Sequence, residues 1–232
     1  MSASVEPAVE VLEAYRSGHV EFMGVSLLSA PGALVPRQET EILGRTALRL
    51  LQERGPSPRA IDMCCGSGNL ACALAVNLPT LNVIAADLTD ATVELARRNV
   101  TELHLGDRVR VFQGDLFAAL APLSASPPVV DMVVCNPPYI STGRLEKDRA
   151  VLLEHEPREA FDGGPYGLSI HQRVLKEALP FLAPDGWVAF EFGAGQERQL
   201  ELLFGRARAY GPVQFEKDLS GAPRVAYAQK KP

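Results

Sequence analysis

The chain has 232 residues, of which 47% are hydrophobic and 22% are charged, as expected for one globular domain with a sizeable core. Its formal net charge of −5 disfavours a partner that is bound mainly by neutralising phosphates, so nucleic acid is not the expected partner. No segment approaches the length of a membrane span, and the N-terminus lacks the basic and apolar regions of a signal peptide, so neither a membrane nor export is expected.

Four cysteines are present, and they include no C-x-x-C pair. Their spacing suits neither a zinc site nor a disulfide framework, so no metal is expected. Small buried thiols of this kind are typical of a reducing compartment, and we expect a cytoplasmic protein. The four are Cys64, Cys65, Cys72 and Cys135.

The N-terminal region is predicted to hold a short amphipathic helix over 7–16 and two extended segments between 20 and 35. Ala30-Pro31-Gly32 is the expected turn between those segments. A second helix follows, with Thr40 as its candidate N-cap, and Gly55-Pro56-Ser57-Pro58 ends it. We expect residues 1–58 to pack over a cofactor site in the remaining domain, 59–232.

From residue 59 onward, apolar runs alternate with helical patterns. This alternation predicts an α/β fold, in which a parallel sheet is covered by helices on both faces. The predicted strands are 60–64, 82–86, 109–112 and 129–135, and the predicted helices are 69–77 and 90–101.

The last third of the chain begins with a polar stretch that we interpret as a substrate lid over about 141–165. The elements predicted after it are a helix over 168–182, a strand over 187–192, a helix over 196–206, and strands near 211–216 and 223–228.

Gly66 and Gly68 lie between a predicted strand and a predicted helix. A glycine turn at that place lets the backbone approach a ligand, and the helix N-terminus offers unpaired N–H groups. Asp87 ends the next strand, where a carboxylate can accept both hydroxyl protons of a ribose. Asp115 ends the third strand and can receive an adenine amine, with Leu116 beside the ring.

These positions fit a nucleoside, which leaves a nicotinamide dinucleotide and S-adenosylmethionine both open. The glycine turn lacks the third glycine of the usual dinucleotide motif. Asn136-Pro137-Pro138-Tyr139 follows the fourth strand, at the edge of the sheet where a methyl acceptor would lie. The glycine turn and the Asn136-Pro137-Pro138-Tyr139 segment together favour S-adenosylmethionine as cofactor.

The residues after the fourth strand suit a nitrogen acceptor. An amide nitrogen is a poor nucleophile because its lone pair is delocalised, so its N–H groups must be held to aim the lone pair at the methyl group. The Asn136 side-chain oxygen and the Pro137 carbonyl can each accept one N–H. Tyr139 is expected to pack on the planar group, and the prolines stiffen the loop.

From about Phe22 to its end, the sequence resembles the HemK/PrmC family of protein-glutamine N5-methyltransferases. The resemblance rests on Pro36-Arg37-Gln38-Glu39-Thr40-Glu41, Asn136-Pro137-Pro138-Tyr139, Glu156-Pro157 with Gly163-Gly164 and Gly167-Leu168, Glu191-Phe192-Gly193 with Gln196, and Asp218-Leu219-Ser220-Gly221 before Arg224-Val225. It implies a class I methyltransferase fold, Rossmann-like, with a seven-stranded sheet whose last strand is antiparallel.

With this resemblance, the expected catalytic residues are Asn136, Pro137, Pro138 and Tyr139. The expected cofactor-binding residues are Asp62, Cys64, Gly66, Gly68, Asn69, Asp87, Leu88, Asp115, Leu116 and Asn136. Those expected to contact substrate are Arg37, Glu39, Thr40 and Glu156.

The sequence departs from the family pattern at Cys64, where a glycine is usual, and at Gln38, where a proline is usual. We expect Cys64 to adopt a negative φ. Only about twenty residues precede Phe22, where bacterial members of the family carry a helical domain that grips release factors.

The leading hypothesis is therefore an S-adenosylmethionine-dependent N-methyltransferase whose acceptor is a protein glutamine amide. The alternatives are a methyltransferase of a free amino acid, peptide or other metabolite, an adenine N6-methyltransferase, and a cofactor-binding subunit of a partner. A small activating subunit is a further partner to consider, because the family's helical domain has no counterpart in the sequence.

Overall fold

The computed structural model describes residues 6–147, 153 and 156–232. The parts of the predicted lid at 148–152 and 154–155, and the first five residues of the predicted N-terminal region, lie outside the described residues.

A seven-stranded sheet forms the centre of the molecule, in the order β5-β4-β3-β6-β7-β9-β8. The strands from β5 to β7 run parallel, whereas β9 is antiparallel to both of its neighbours. The prediction of a class I sheet whose last strand is antiparallel is confirmed. The strands are β3 (Arg59–Met63), β4 (Asn82–Asp87), β5 (Val109–Gln113), β6 (Val130–Cys135), β7 (Leu182–Glu191), β8 (Gln214–Lys217) and β9 (Pro223–Gln229).

Helices cover both faces of this sheet, as the sequence predicts. On one face α2 (Thr40–Gln52), α3 (Asn69–Asn77) and α4 (Asp90–Glu102) share an apolar core with the N-terminal hairpin. On the other face α6 (Ser169–Glu177), α7 (Glu197–Ala207) and a 3-10 helix (Leu116–Leu123) pack together. Among the described residues, no helix is long and apolar enough to cross a membrane.

The N-terminal elements correct two predictions. After α1 (Glu6–Ser17), β1 (His19–Phe22) and β2 (Val25–Leu28) form a hairpin that turns at Met23-Gly24, and not at residues 30–32. Both turn residues have positive φ, which is the geometry that matches the twist of a two-residue hairpin. The N-cap of α2 is Glu39, so Thr40 is the first helical residue and its side chain is buried.

The helix predicted over 168–182 is also too long. It ends at Glu177, because Pro180 cannot continue a helix and restricts the residue before it. Leu182 instead begins β7 and pairs with Val130, and a register shift between Val130 and Met132 accommodates the residues before Trp187. The sequence interpretation missed α5 (Thr142–Lys147) and two 3-10 helices, Leu116–Leu123 and Arg158–Ala160.

Packing of α2 on the sheet is testable through Leu43, which is fully buried in the core that α2 shares with the hairpin. We expect Leu43→Ala to lower the free energy of unfolding by about 2–5 kcal/mol, because it leaves a cavity. Leu202→Ala in α7 is the control, since Leu202 is exposed and should change stability by less than about 0.5 kcal/mol. Urea denaturation measures both, and equal effects would contradict this packing.

Candidate active site

A cavity of about 440 Å³ lies at the carboxyl-terminal edge of the parallel strands. Its wall is built by the residues that follow β3, β4, β5 and β6, together with the segment that leads into α2 and the 3-10 helix of the lid. Such a position at the carboxyl ends of parallel strands is where open α/β sheets bind ligands. Its size is within the ~300–1,000 Å³ of small-molecule sites.

The turn between β3 and α3 forms the floor of this cavity. Cys64, Gly66 and Gly68 all have positive φ, at 59°, 56° and 76°. Our expectation of a negative φ at Cys64 is therefore wrong, because the chain must reverse sharply between the strand and the helix. Gly66 and Asn69 line the cavity, while Gly68 sits where a Cβ would approach Ala96 to 3.2 Å.

Asp87, at the end of β4, is held rigidly on the cavity wall. Its Oδ2 accepts the N–H of Gly66 at 2.8 Å, and its Oδ1 accepts the Leu88 N–H at 2.8 Å and the Thr92 hydroxyl at 2.7 Å. A carboxylate has about four acceptor positions and three are used here, so one position, on Oδ2, remains for a ligand hydroxyl. Leu88 also lines the cavity and is half exposed.

Asp115 and Leu116 line the cavity after β5. The Oδ1 of Asp115 accepts a hydrogen bond from Arg173 Nη1 at 2.9 Å, so its second oxygen is the one left for a ligand amine. Leu116 has a φ of 48°, which turns its side chain into a buried position beside the cavity.

Asp62 lies on β3 beneath the cavity, not on its wall. It is fully buried, and its Oδ2 accepts the N–H of Ala71 in the first turn of α3 at 2.9 Å, which ties the helix N-terminus to the sheet. Burial raises the pKa of Asp62 to about 8, and its Oδ1 has no hydrogen-bond partner among the described residues.

The segment 136–139 follows β6 directly. Asn136 and Pro138 line the cavity, whereas Pro137 is buried. The Tyr139 side chain turns away from the cavity, because its hydroxyl donates to Glu191 Oε1 at 3.2 Å. Burial and the nearby Glu191 carboxyl raise the pKa of Tyr139 far above its ordinary value. The structure therefore brings Asn136 and Pro138 to the wall and places Tyr139 behind it.

The segment that leads into α2 closes the cavity on one side. Arg37 and Thr40 line the wall, while Glu39 is exposed and does not line the cavity. Arg37 is joined to the buried Glu156 by an ion pair, and Glu156 Oε1 also accepts the Val35 N–H at 2.9 Å. Glu156 thus binds the lid to the N-terminal region rather than lining the cavity.

The lid is also attached to the segment after Tyr139. Ile140 donates its N–H to Phe161 at 2.9 Å, and Gly163 donates its N–H back to Ile140 at 2.8 Å. The Thr142 hydroxyl donates to Asp162 at 2.7 Å. The two backbone bonds therefore hold the base of the lid against Ile140, the residue that directly follows the 136–139 segment.

Two polar residues behind the 136–139 segment were given no role by the sequence interpretation, which quoted them only as part of a motif. Gln196 donates to the Tyr139 carbonyl at 3.0 Å and accepts the Gly193 N–H at 2.9 Å. Glu191 is 2% exposed. A charged residue inside an apolar strand, next to Phe190 and Phe192, is the signal that marks it.

The site therefore combines a glycine turn, a fixed carboxylate and an asparagine on one cavity wall, which defines a methyltransferase of class I when placed on this sheet. The family model described as the methyltransferase small domain matches residues 38–164.

Curated relatives support this class. A release factor glutamine methyltransferase of Geobacter sulfurreducens is 38% identical over 83% of the chain, which spans 64% of that relative's length. Another of the same name, from Moorella thermoacetica, is 36% identical over 94% of the chain and 74% of its own length. A 4-amino-L-phenylalanine/4-methylamino-L-phenylalanine methyltransferase of Streptomyces pristinaespiralis is 36% identical over 86% of the chain and 65% of its own length.

A solved structure agrees with the fold. The release-factor-specific protein-(glutamine-N5) methyltransferase of Alicyclobacillus acidocaldarius is 25% identical, covers 85% of this chain and 95% of its own, and superposes with a TM-score of 0.53. The chain belongs to the HemK/PrmC family of methyltransferases. The predictions of the family, the enzyme class and the methyl donor S-adenosylmethionine are thereby confirmed.

The strain at Cys64 is testable by comparing two variants that both remove the thiol. A left-handed backbone costs a non-glycine residue about 1–2 kcal/mol, so Cys64→Gly should be more stable to urea than Cys64→Ala by about 1 kcal/mol. Cys72, in the middle of α3, is the matched control: there Gly should be less stable than Ala by about 0.5–1 kcal/mol. The same order at both positions would contradict the assigned turn.

Proposed function

We propose that this chain transfers the methyl group of S-adenosylmethionine to the side-chain amide nitrogen of a protein glutamine, in a release factor. The observation that carries the proposal is the position of Asn136 on the cavity wall, in the same cavity as Gly66 and Asp87. The substrate for which the relatives are named, a glutamine of a release factor, agrees with a site built for a planar nitrogen.

The residues present fit the methyl donor. Gly66 and the start of α3 offer close backbone approach, and Asp87 has one acceptor position left, on Oδ2, for a ribose hydroxyl. Leu88, Leu116 and Ile170 give the cavity apolar surface for a flat ring. When bound, the donor supplies an electrophilic methyl group on a sulfonium.

The acceptor nitrogen would be held by two oxygens. The Asn136 side chain and the Pro137 carbonyl each accept one N–H of the glutamine amide, which directs the nitrogen lone pair away from them. The prolines provide no N–H that competes at this point. No side chain is needed as a strong base, because the methylated amide nitrogen loses its proton readily.

We also propose that residues 1–58 and the lid form the acceptor side of the site. Arg37 and Thr40 come from the first region and Pro157 to Ala160 from the second, and all of them line the cavity. The ion pair of Arg37 with Glu156 joins the two regions. An acceptor would then enter between the lid and the segment that leads into α2.

One observation favours a second candidate, the N-methylation of a free aromatic amine. The Streptomyces pristinaespiralis relative that is 36% identical is named for methylation of an amino-phenylalanine. An arylamine also presents a planar nitrogen with two hydrogens, so the same two oxygens serve it.

The two candidates separate in one assay. The purified chain is incubated with S-adenosylmethionine labelled in the methyl group, and with either a bacterial release factor or 4-amino-L-phenylalanine. We expect label on the release factor, and mass spectrometry should place one methyl group on a glutamine amide. Label on the amine alone would contradict the glutamine proposal and support the second candidate.

The separate roles of Asn136 and Asp87 predict different kinetic losses. Asn136→Ala should slow transfer by about 10²–10³-fold and leave the Kd for S-adenosylmethionine nearly unchanged, because the acceptor alone loses a contact. Asp87→Ala should weaken cofactor binding by about 10–100-fold. Calorimetry and initial rates measure the two effects.

Asp90→Ala is the matched control, since Asp90 lies outside the cavity and binds Gln113 at 2.6 Å. It should leave cofactor affinity and rate at wild-type values. Equal loss of binding in the Asn136 and Asp87 variants would show that Asn136 does not act on the acceptor.

A further inference from the structure

Three segments that are distant in sequence meet behind Asn136. Strands β6 and β7 are neighbours, and Cys135 pairs with Phe190, so Asn136 and Glu191 follow them side by side. Thr40, the first residue of α2, closes the group from the other side. Thr40 is 1% exposed and Glu191 is 2% exposed, so this is a buried polar cluster. In such a cluster the hydrogen bond that each hydroxyl or amide hydrogen makes affects stability and orientation.

The contact between Asn136 and Thr40 is a hydrogen bond from Asn136 Nδ2 to Thr40 Oγ1 at 3.2 Å. A hydroxyl can either accept or donate, and an amide has one end of each kind. The contact alone therefore permits both orientations of the Asn136 amide. Which group accepts the hydrogen bond from the Thr40 hydroxyl decides between the two orientations.

The Glu191 carboxylate is the acceptor that is available to the Thr40 hydroxyl. Its Oε1 accepts the Tyr139 hydroxyl at 3.2 Å, while its Oε2 is buried with no partner within normal hydrogen-bond distance among the described residues. The Thr40 hydroxyl is a neighbouring donor that lowers the pKa of this carboxyl. An ionised carboxylate only accepts, so the Thr40 proton is drawn to Glu191 and Thr40 presents a lone pair to Asn136.

We propose that Thr40 and Glu191 are positioning residues, which fix the Asn136 amide with its nitrogen toward Thr40 and its oxygen free for the N–H of the methyl acceptor. The inference rests on the proposed function and deepens it. When the Thr40 hydroxyl turns toward Glu191, its lone pair accepts the Asn136 Nδ2–H more strongly, which polarises the Asn136 oxygen.

The proposal includes a dependence on pH. Burial raises the pKa of Glu191 to about 7, with a further rise from Glu39, while the neighbouring Thr40 hydroxyl, the hydrogen bond from Tyr139 and the charge of Arg224 oppose it. His171 contacts the Glu191 backbone carbonyl at 2.9 Å, and burial lowers the pKa of His171 to about 4, so it stays neutral near pH 7.

Because the ionised form of Glu191 is the one that orients Asn136, transfer should fall as pH drops through about 7. A protonated Glu191 can itself donate to Thr40, which frees the Thr40 proton and the Asn136 amide. Glu191→Gln does not titrate, and we expect its rate to lack this fall between pH 8 and 6. An unchanged fall in that variant would overturn the role of Glu191.

The direct test replaces the Thr40 hydroxyl by a methyl group of the same shape. We expect Thr40→Val to lower kcat by about 10–100-fold with the Kd for S-adenosylmethionine within about twofold, and Thr40→Ser to restore the rate. Thr46→Val is the control on the same helix, because the Thr46 hydroxyl donates to the Ile42 carbonyl at 2.8 Å and Thr46 does not line the cavity. Wild-type kcat in Thr40→Val, or no rescue by Ser, would overturn the proposal.

A second measurement needs no methyl acceptor. Carbon NMR of the Glu191 carboxyl in the cofactor-free chain reports its pKa, which should rise in Thr40→Val, because the neighbouring hydroxyl that lowers it is lost. Thr46→Val should leave it at the wild-type value. An unchanged pKa in Thr40→Val would overturn the inference even if the acceptor is not glutamine, whereas a raised pKa without glutamine transfer would reject only the proposed function.

Discussion

The parallel pairing of β3 with both β4 and β6 is the constraint on which the rest of the site depends. Because parallel strands end at the same edge, the residues that follow them meet there, although they are distant in sequence. The glycine turn, Asp87 and Asn136 each follow one of these strands. The cavity is therefore a consequence of the sheet order, and short turns after each strand give its wall little freedom.

Buried polar groups then fix the positions of the helix and the side chains that form this wall. Asp62 ties α3 to the sheet from below, and Glu191 holds Tyr139 behind the wall. Both carboxyls have raised pKa values, since burial disfavours their charge. A buried carboxyl with a pKa near 7 is costly to keep ionised, so an ionised Glu191 contributes little to stability, which agrees with a positioning role.

The strands and helices around the cofactor cavity follow from local patterns, because each is a short apolar run or a 3.6-residue period bounded by glycine or proline. The parallel sheet with an antiparallel last strand is what the sequence predicted, and Gly66, Asp87 and Asn136 lie on one cavity wall. The positive φ of Cys64 was not predictable because it depends on how sharply the chain reverses after β3, and the burial of Thr40 was not predictable because it depends on neighbours distant in sequence. The same holds for Glu191, whose partners come from three segments.

The most direct test of how the site holds its acceptor is a crystal structure of the chain with S-adenosylhomocysteine and a glutamine-containing peptide. We expect the nucleoside to lie between Asp87 and Leu116 and the glutamine amide to donate to the Asn136 side-chain oxygen, with Thr40 on the Asn136 nitrogen. A nucleoside in that place with the glutamine amide bound away from Asn136 would show that Asn136 does not hold the acceptor. An amide held by the Asn136 nitrogen would contradict the assigned orientation.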